Sequence, residues 1–241
     1  MKIAVISDIH GNMDAFDRVL EDIDKAHVDA IISLGDNIGY GPEPEKVIRK
    51  IQDRNIPSIM GNHEMAVADR SHLSWFNITA QESLLKTRKM LSKGSIAYIS
   101  SFKSFLVRFK CRFVHGFPPD SPMTYSFQVC ENAIMDTFRK LNENVCFIGH
   151  THYLQTIDFD GLTIDEAPLE QGVTLIPKTR ACIVNVGSVG QPRDGNNNAK
   201  YVIWNSSENA IEVKYIPYDI ARVVEKMTAL GLPKVHADRL W

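Results

Sequence analysis

The sequence predicts an α/β protein with two β-sheets, and three features support this. In the first 150 residues, short apolar runs alternate with segments of helical periodicity, the order that produces parallel strands joined by right-handed crossovers. Beyond residue 153, strand-like runs follow one another, and an Asp160-Gly161 hairpin signal favours an antiparallel second sheet packed against the first. Side chains of metal-binding types follow several of the apolar runs, where α/β folds place their ligands.

The first apolar run, residues 3–6, is predicted to be a strand buried on both faces. It is followed by Asp8 and His10, whose side chains can converge because alternate residues of an extended chain face the same way. Asn12 is suited to begin the helix predicted over residues 15–26. Alone, this D-x-H motif is a weak indication of a metal, since a capped loop with a solvated histidine is the commoner alternative.

The same arrangement recurs after the next two apolar runs. Residues 29–34 are predicted to form a second strand that ends at Asp36, and residues 56–60 are predicted to form a third. The third run is followed by Gly61-Asn62-His63-Glu64. Because parallel strands joined by right-handed crossovers open at one edge of the sheet, we expect Asp36 to lie beside the side chains that follow the first strand.

Residues 65–110 are the least readable part of the chain and are predicted to be a helical insertion. A helix is predicted over residues 79–92, and Gly94 is predicted to end it. Trp75 and Phe76 are interpreted as packing between elements, with a substrate-contacting surface as the alternative.

Two later strand-like runs end at histidines. Residues 112–114 are followed by His115, and residues 145–148 are followed by His150 and His152. The other predicted strands are residues 105–109, 154–159, 162–165, 173–176, 181–186, 200–205 and 210–216, and the other helices are residues 44–53, 129–141 and 218–230. Since no linker or repeat separates these elements, we expect one domain over residues 1–241.

Composition narrows the class of protein. The 241 residues are 44% hydrophobic with a net charge of −2, which is typical of a globular protein and gives no electrostatic support for binding a nucleic-acid polymer or an anionic membrane. No apolar run reaches the roughly 18–20 residues of a membrane-spanning helix. The four cysteines have no metal-type spacing, which predicts a reduced, cytoplasmic protein.

The polar residues at the strand ends form one candidate set, which contains five of the eight histidines: Asp8, His10, Asp36, Asn62, His63, His115, His150 and His152. Nitrogen and oxygen ligands without thiolate suit Mn, Fe, Co, Ni or Zn. Without His63, the set contains seven candidate ligands, which are too many for one catalytic ion and suit two ions that share a carboxylate. Two such ions, about 3.5–4 Å apart, would clamp a phosphate group and activate a bridging hydroxide for in-line attack.

The motifs D-x-H, G-D, G-N-H-E, H-G and G-H-x-H occur in the order seen in the calcineurin-like metallophosphoesterases, and the sequence resembles that family from residue 1 to about 195. The resemblance implies a four-layer α/β/β/α sandwich of two mixed β-sheets flanked by helices. It implies a first metal bound by Asp8, His10, Asp36 and His152, and a second bound by Asp36, Asn62, His115 and His150. His63 matches the residue that contacts the phosphate and protonates the leaving oxygen.

Within the family, the segments GDNIGYGPEP and NVGSVGQPRDG resemble the small prokaryotic phosphodiesterase-type members. Protein phosphatases and dinucleoside-tetraphosphate hydrolases usually have an arginine after G-D and another before G-N-H-E, and both are missing here, which weakens those assignments. Arg193 has two interpretations: it holds a phosphate oxygen, or it forms a loop salt bridge with Asp194 or another carboxylate.

These observations predict a dinuclear-metal-dependent phosphoesterase that hydrolyses a small phosphodiester or nucleotide-like substrate. The alternatives are a phosphomonoesterase, including a protein phosphatase, and a noncatalytic scaffold of the same fold. Four aromatic residues are candidates to stack on a base, although packing is the favoured interpretation of each: Tyr40, Trp75, Phe76 and Phe117. The natural substrate, the physiological metal and the oligomeric state stay open.

Overall fold

The computed structural model describes residues 1–241 and contains two mixed β-sheets flanked by helices, as predicted. The strands are β1 (Lys2–Ile6), β2 (Ala30–Ser33), β3 (Phe105–Arg108), β4 (Cys111–Val114), β5 (Val145–Ile148), β6 (Leu154–Phe159), β7 (Ile164–Pro168), β8 (Gly172–Leu175), β9 (Ala181–Val186), β10 (Ala199–Asn205) and β11 (Ala210–Ile216). The α-helices are α1 (Met13–Ala26), α2 (Pro44–Asp53), α3 (Asn62–Ala68), α4 (Ile78–Met90), α5 (Lys93–Ser100), α6 (Glu131–Lys140), α7 (Ile220–Ala229) and α8 (Lys234–Asp238). Two short 3₁₀ helices cover Arg70–Trp75 and Ser126–Gln128.

The strands are distributed between the sheets differently from the prediction. The first sheet has the order β2-β1-β10-β11-β8, and the second has the order β3-β4-β5-β9-β6-β7. The expectation that the strands beyond residue 153 form a separate antiparallel sheet is therefore wrong. Three of them extend the parallel pair β1–β2, and the other three extend the parallel pair β4–β5. Local patterns identify a strand but carry no information about its partner.

Alternation of side chains along β1 builds the layers. Val5 points into a cluster of 19 buried residues between the two sheets, where it joins Phe147 of β5. Ile6 points the other way and packs under α1 against Phe16. On the far side of the second sheet, α6 packs through Phe138. The result is helices, sheet, sheet and helix in four layers.

Three local predictions differ from the structure. Residues 56–60 form only isolated bridges beside β2 and near Lys103, because Pro57 has no N–H to extend a ladder. Gly94 lies in the first turn of α5 instead of ending α4, since Ser92 caps a new helix there. Beyond the last predicted helix, residues 218–230, the chain forms the short helix α8.

The cysteines of β4, β5 and β9 (Cys111, Cys146 and Cys182) are buried as small apolar residues. None of the helices combines the length and the apolar character that crossing a lipid bilayer requires.

Candidate metal centre

The structure brings all eight strand-end residues together in one buried cluster, each with 5% exposure or less. The loops after β1 and β2 in the first sheet carry Asp8, His10 and Asp36, and the loops after β4 and β5 in the second sheet carry His115, His150 and His152. Asn62 and His63 begin α3. The cluster therefore lies where the carboxyl ends of strands from both sheets meet, and Asp36 lies beside His10, as expected from the parallel pairing of β1 and β2.

Five of these residues leave their strands in the left-handed backbone region. The φ angles are 54° at Asp8, 50° at His10, 50° at Asp36, 68° at His150 and 65° at His152. Residues other than glycine rarely adopt this conformation, and such strain concentrates at functional sites. The sequence gives no sign of it, because the strain is a property of the folded loops.

The glycines of the motifs are required by close approach of the carboxylates. A Cβ atom at Gly61 would lie 2.1 Å from Asp36 Oδ1, and one at Gly149 would lie 2.6 Å from Asp8 Oδ2. Both distances are shorter than a carbon–oxygen contact allows, so glycine at these positions lets the loops of the two sheets pack around the carboxylates.

Backbone carbonyls orient four of the histidines. His10 Nδ1 lies 3.1 Å from the Ile38 carbonyl, His115 Nδ1 lies 3.0 Å from that of Leu34, His150 Nε2 lies 3.0 Å from that of Met123, and His152 Nδ1 lies 2.5 Å from that of Gln191. In each ring this nitrogen donates its proton to the carbonyl, which directs the other nitrogen toward the cluster. Metal-binding histidines are oriented in this way.

The free nitrogens converge on the carboxylates in two groups, around Asp8 and around Asp36, and His63 forms a third, overlapping group with His10 and Asp36. His152 Nε2 lies 3.2 Å from Asp8 Oδ1 and 3.1 Å from His10 Nε2. His115 Nε2 lies 3.3 Å from Asp36 Oδ2, and His150 belongs to the same group. Each group has ligand atoms within 4.8 Å of one another, the spacing that a bound ion requires.

Two buried oxygens fit a pair of cations better than they fit hydrogen bonds. Asp8 Oδ1 has no hydrogen-bond partner. The Asn62 side-chain oxygen lies 2.9 Å from Asp36 Oδ2 and 3.2 Å from His150 Nδ1, both of which are acceptors, and 3.1 Å from His115 Nε2. Rotating the amide would place a donor there, whereas a cation at this point keeps the oxygen in place as a ligand. The donor set of histidine nitrogen, carboxylate and amide oxygen suits borderline divalent ions.

The electrostatics of the cluster also favour added positive charge. Burial opposes ionisation of Asp8 and Asp36, but the neighbouring imidazoles, His152 and His115 foremost, hold the pKa of both carboxyls well below the ordinary value. Burial disfavours the charged form of His115, yet the two carboxylates raise its pKa to about 9. Burial lowers the pKa of His150 to about 3, which keeps that ring neutral and able to act as a ligand.

Glu64 joins two loops of the cluster. Its carboxylate accepts hydrogen bonds from the backbone N–H groups of Asp36 (2.8 Å), Asn37 (2.7 Å) and Gly61 (3.1 Å). Burial and the Asp36 charge raise the pKa of Glu64 to about 7, while the N–H donors favour the ionised form. It makes no contact that would orient His63, so its role is to cap α3 and to tie the G-D loop to that helix.

His63 is held by packing instead of hydrogen bonds. Its ring lies edge-on to Tyr40 (4.5 Å between centroids) and Phe76 (5.3 Å), and its Nδ1 has no partner. Its Nε2 lies 3.8 Å from Asp36 Oδ2, and burial keeps its pKa well below the ordinary value. The Nε2 is thus free to contact a group bound at the centre.

Arg193 lines the same cavity and has no carboxylate partner. Its Nη2 donates a hydrogen bond to Gln191 Oε1 at 3.4 Å, and its Nε has no partner. The carboxylate of Asp194 instead pairs with Lys200 Nζ at 2.7 Å. The interpretation of Arg193 as one half of a loop salt bridge is therefore wrong.

A cavity of about 140 Å³ opens on the cluster, and its surroundings include residues that the sequence analysis did not identify as candidates. Tyr125 lines it and stacks on His150 at 3.8 Å between centroids. His236 of α8 lies behind it, 2% exposed, with its ring 4.3 Å from that of Tyr40 and neither nitrogen hydrogen-bonded. Phe117 is buried in the α6 cluster and does not line the cavity, so it is not a stacking candidate.

The profile of the calcineurin-like phosphoesterase superfamily domain matches residues 1–209. The chain belongs to this superfamily. An uncharacterised protein of Methanocaldococcus jannaschii is 32% identical to it over 243 residues, which cover 99% of this chain and 97% of that protein.

Solved structures agree with the fold. A metallophosphoesterase from Sphaerobacter thermophilus has a TM-score of 0.84 and 31% identity, with 100% of this chain and 98% of that chain covered. A hypothetical protein from Pyrococcus horikoshii has a TM-score of 0.81 and 17% identity, with 100% and 97% covered, and this likeness supports the fold alone. Membership of the superfamily implies divalent metal ions, and the histidine and aspartate groups described above could bind them.

Proposed function

We propose that this superfamily member is a phosphoesterase that uses two divalent metal ions to hydrolyse a small phosphodiester or nucleotide-like substrate. The observation that carries the proposal is the arrangement of buried histidines in two groups around Asp8 and Asp36, with every free ring nitrogen aimed inward. We assign the first ion to Asp8, His10, Asp36 and His152, and the second to Asp36, Asn62, His115 and His150. Manganese is one of the ions that this donor set suits.

The ions would supply Lewis-acid charge and a water activated near neutral pH. The protein's own groups then position the substrate. The Arg193 guanidinium, free of any carboxylate, holds a phosphate oxygen by a charge-assisted hydrogen bond. His63 contacts a phosphate oxygen, whose negative charge favours protonation of the ring; the imidazolium then delivers its Nε2 proton to the leaving oxygen and returns to the neutral form. Asn62, whose side-chain oxygen lies 2.9 Å from Asp36 Oδ2, is the other residue assigned to substrate binding.

A diester or nucleotide-like substrate is proposed because Arg193 is the only guanidinium that lines the cavity. A single such group matches the lower charge of a diester better than the dianion of a monoester. A symmetrical bis(5′-nucleosyl)-tetraphosphatase of Delftia acidovorans is 37% identical over 68 residues, which cover 27% of this chain and 24% of that protein. That local match supports a nucleotide-like substrate but leaves out most of the chain.

We also infer that residues 1–241 form one domain, since the core between the sheets draws on strands from both ends of the chain. A cytoplasmic location is our proposal from the unpaired cysteines.

The test is metal-stripped protein supplied in turn with Mn, Ni, Co, Zn or Mg and assayed on bis-p-nitrophenyl phosphate and p-nitrophenyl phosphate. We expect faster turnover of the diester with a transition metal, and loss of that turnover in Asp36→Asn and His63→Ala without unfolding. His27→Asn, at an exposed helix end outside the cluster, is the matched control. Preference for the monoester would favour a phosphatase. Metal binding without any turnover would favour a scaffold and contradict the proposal.

A further inference from the structure

The outer part of the cavity is aromatic, in contrast to its polar floor. Trp75, at the end of the first 3₁₀ helix, lines it with 55% of its surface exposed, and Phe76 lines it next to the indole. No residue of that 3₁₀ helix is buried, so Trp75 contributes little to the core. Its position beside the candidate centre needs another explanation.

These aromatic groups lie on one particular side of the centre. Phe76 packs edge-on against His63, with 5.3 Å between the ring centroids and 88° between the planes. Tyr125 lies instead against His150. If His63 delivers a proton to the leaving oxygen, the leaving group departs over Phe76 and Trp75.

Few charged groups lie near the aromatic side of the cavity formed by Trp75 and Phe76. Apart from the candidate ligands and His63, Arg193 is the only charged residue that lines the cavity. The ring of His72 covers part of Trp75 at 4.4 Å between centroids, and the rest of the indole stays exposed. An exposed indole beside the half-buried ring of Phe76, with no charged residue except Arg193 and the centre lining the cavity, suits a planar, uncharged group that can stack.

We propose that Trp75 and Phe76 form a subsite for a planar aromatic leaving group, such as the nucleobase of a departing nucleoside. This inference rests on the proposed function, because His63 defines the leaving side. Stacking on an indole contributes about 1–3 kcal/mol per base, so its loss corresponds to roughly a tenfold change in kcat/KM.

The test compares three diesters: a dinucleoside monophosphate, and two analogues that each lack one base. All three have the same two ester alcohols, a 3′-hydroxyl and a 5′-hydroxyl, and the products identify which of them departs. We expect Trp75→Ala to lower kcat/KM roughly tenfold when the departing nucleoside retains its base, and less than about twofold when it does not. Trp241→Ala changes another exposed tryptophan, at 64% exposure and outside the cavity, and should alter neither.

An equal loss on all three substrates, or no loss, would overturn the subsite. An equal loss accompanied by a changed oligomeric state would assign Trp75 to a contact between copies of the chain. Indole fluorescence separates this inference from the proposed function. In a Trp241→Phe background, Trp75 is the exposed indole, since Trp204 is 3% exposed.

Quenching of this fluorescence by the dinucleoside monophosphate, in a protein that hydrolyses no diester with any metal, would overturn the proposed function and the leaving-group role, and would retain Trp75 as a base-binding residue. Absence of both quenching and hydrolysis would overturn the two together. Hydrolysis with Trp75-dependent loss confined to substrates that keep the departing base would support both.

Discussion

Lys200→Met is expected to lower stability and to weaken substrate binding for the same electrostatic reason. The Lys200 side chain has no exposed surface, and its ammonium donates to Asp194 Oδ1 at 2.7 Å and to two backbone carbonyls of the preceding loop, those of Asn196 and Asn198. This pairing keeps the Asp194 carboxylate away from the guanidinium of Arg193. Without the ammonium, the carboxylate is free to neutralise Arg193.

The effect on stability follows from the burial of the pair. Removing one partner of a buried ion pair costs about 3–5 kcal/mol. Because Asp194 keeps 16% exposure, we expect Lys200→Met to lower the free energy of unfolding by about 2–3 kcal/mol. In a chain of this length that corresponds to a fall in Tm of roughly 5–10 °C. Asp194→Asn in the same background removes the unpaired charge and should restore part of the loss.

The effect on binding is measured as kcat and KM for bis-p-nitrophenyl phosphate. Loss of a charged hydrogen bond from Arg193, worth about 1.5–3 kcal/mol, should raise KM roughly tenfold or more in Lys200→Met with little change in kcat. The double variant with Asp194→Asn should regain a KM near that of the wild type. Lys214→Met removes a more exposed ion pair on the same sheet and is the control. Equal KM values in the single and double variants would refute the argument that Asp194 competes for Arg193.

Three further perturbations probe the centre and its surroundings. Gly61→Ala places a Cβ 2.1 Å from Asp36 Oδ1 and should sharply reduce metal content after gel filtration, whereas Gly94→Ala, whose nearest neighbour would be 3.8 Å away, should not; equal contents would contradict the steric explanation. Burial lowers the pKa of His236 to about 4, so this group contributes stability that is present above pH 6.5 and lost as the pH falls toward 4. Between pH 6.5 and 4, the free energy of unfolding measured with urea should therefore fall by up to about 3 kcal/mol less in His236→Phe than in the wild type. Parallel pH profiles of the two proteins would show that His236 is not buried as a neutral ring. Removing bound metal with a chelator should lower Tm, and adding Mn or Ni back should raise it. At a free metal concentration of 100 times Kd, the rise corresponds to about 2.7 kcal/mol in the free energy of unfolding. A constant Tm would indicate that no ion binds the folded chain.

Much of the fold is predictable because local sequence and tertiary environment agree. Residues 3–6 are apolar at every position, and both faces of β1 are covered in the structure. The helix over residues 44–53 begins and ends where its apolar stripe and proline predict. The partners of the late strands could not be predicted, since β9 and β10 have equally apolar patterns and yet enter different sheets.

The candidate site is predictable only in part. Histidine and aspartate at strand ends are visible in the sequence because their types are unusual there. Tyr125 and His236 lie in no recognisable motif, and only folding brings Tyr125 to the cavity and His236 behind it. The freedom of Arg193 depends on Lys200, whose burial could not be inferred from an isolated lysine in a strand. The metal-binding and catalytic roles of the predicted residues stay predictions until the assays above are made.

The two sheets contribute to the centre in nearly equal measure, and this has a consequence for how the protein matures. Asp8 and Asp36 come from one sheet and His115 and His150 from the other, so neither half of the sandwich can assemble the full set of ligands. An ion that requires ligands from both halves can load only after the halves have docked in the correct alignment. Metal uptake would then report on correct folding, and a newly made chain would become active only once its two halves had assembled.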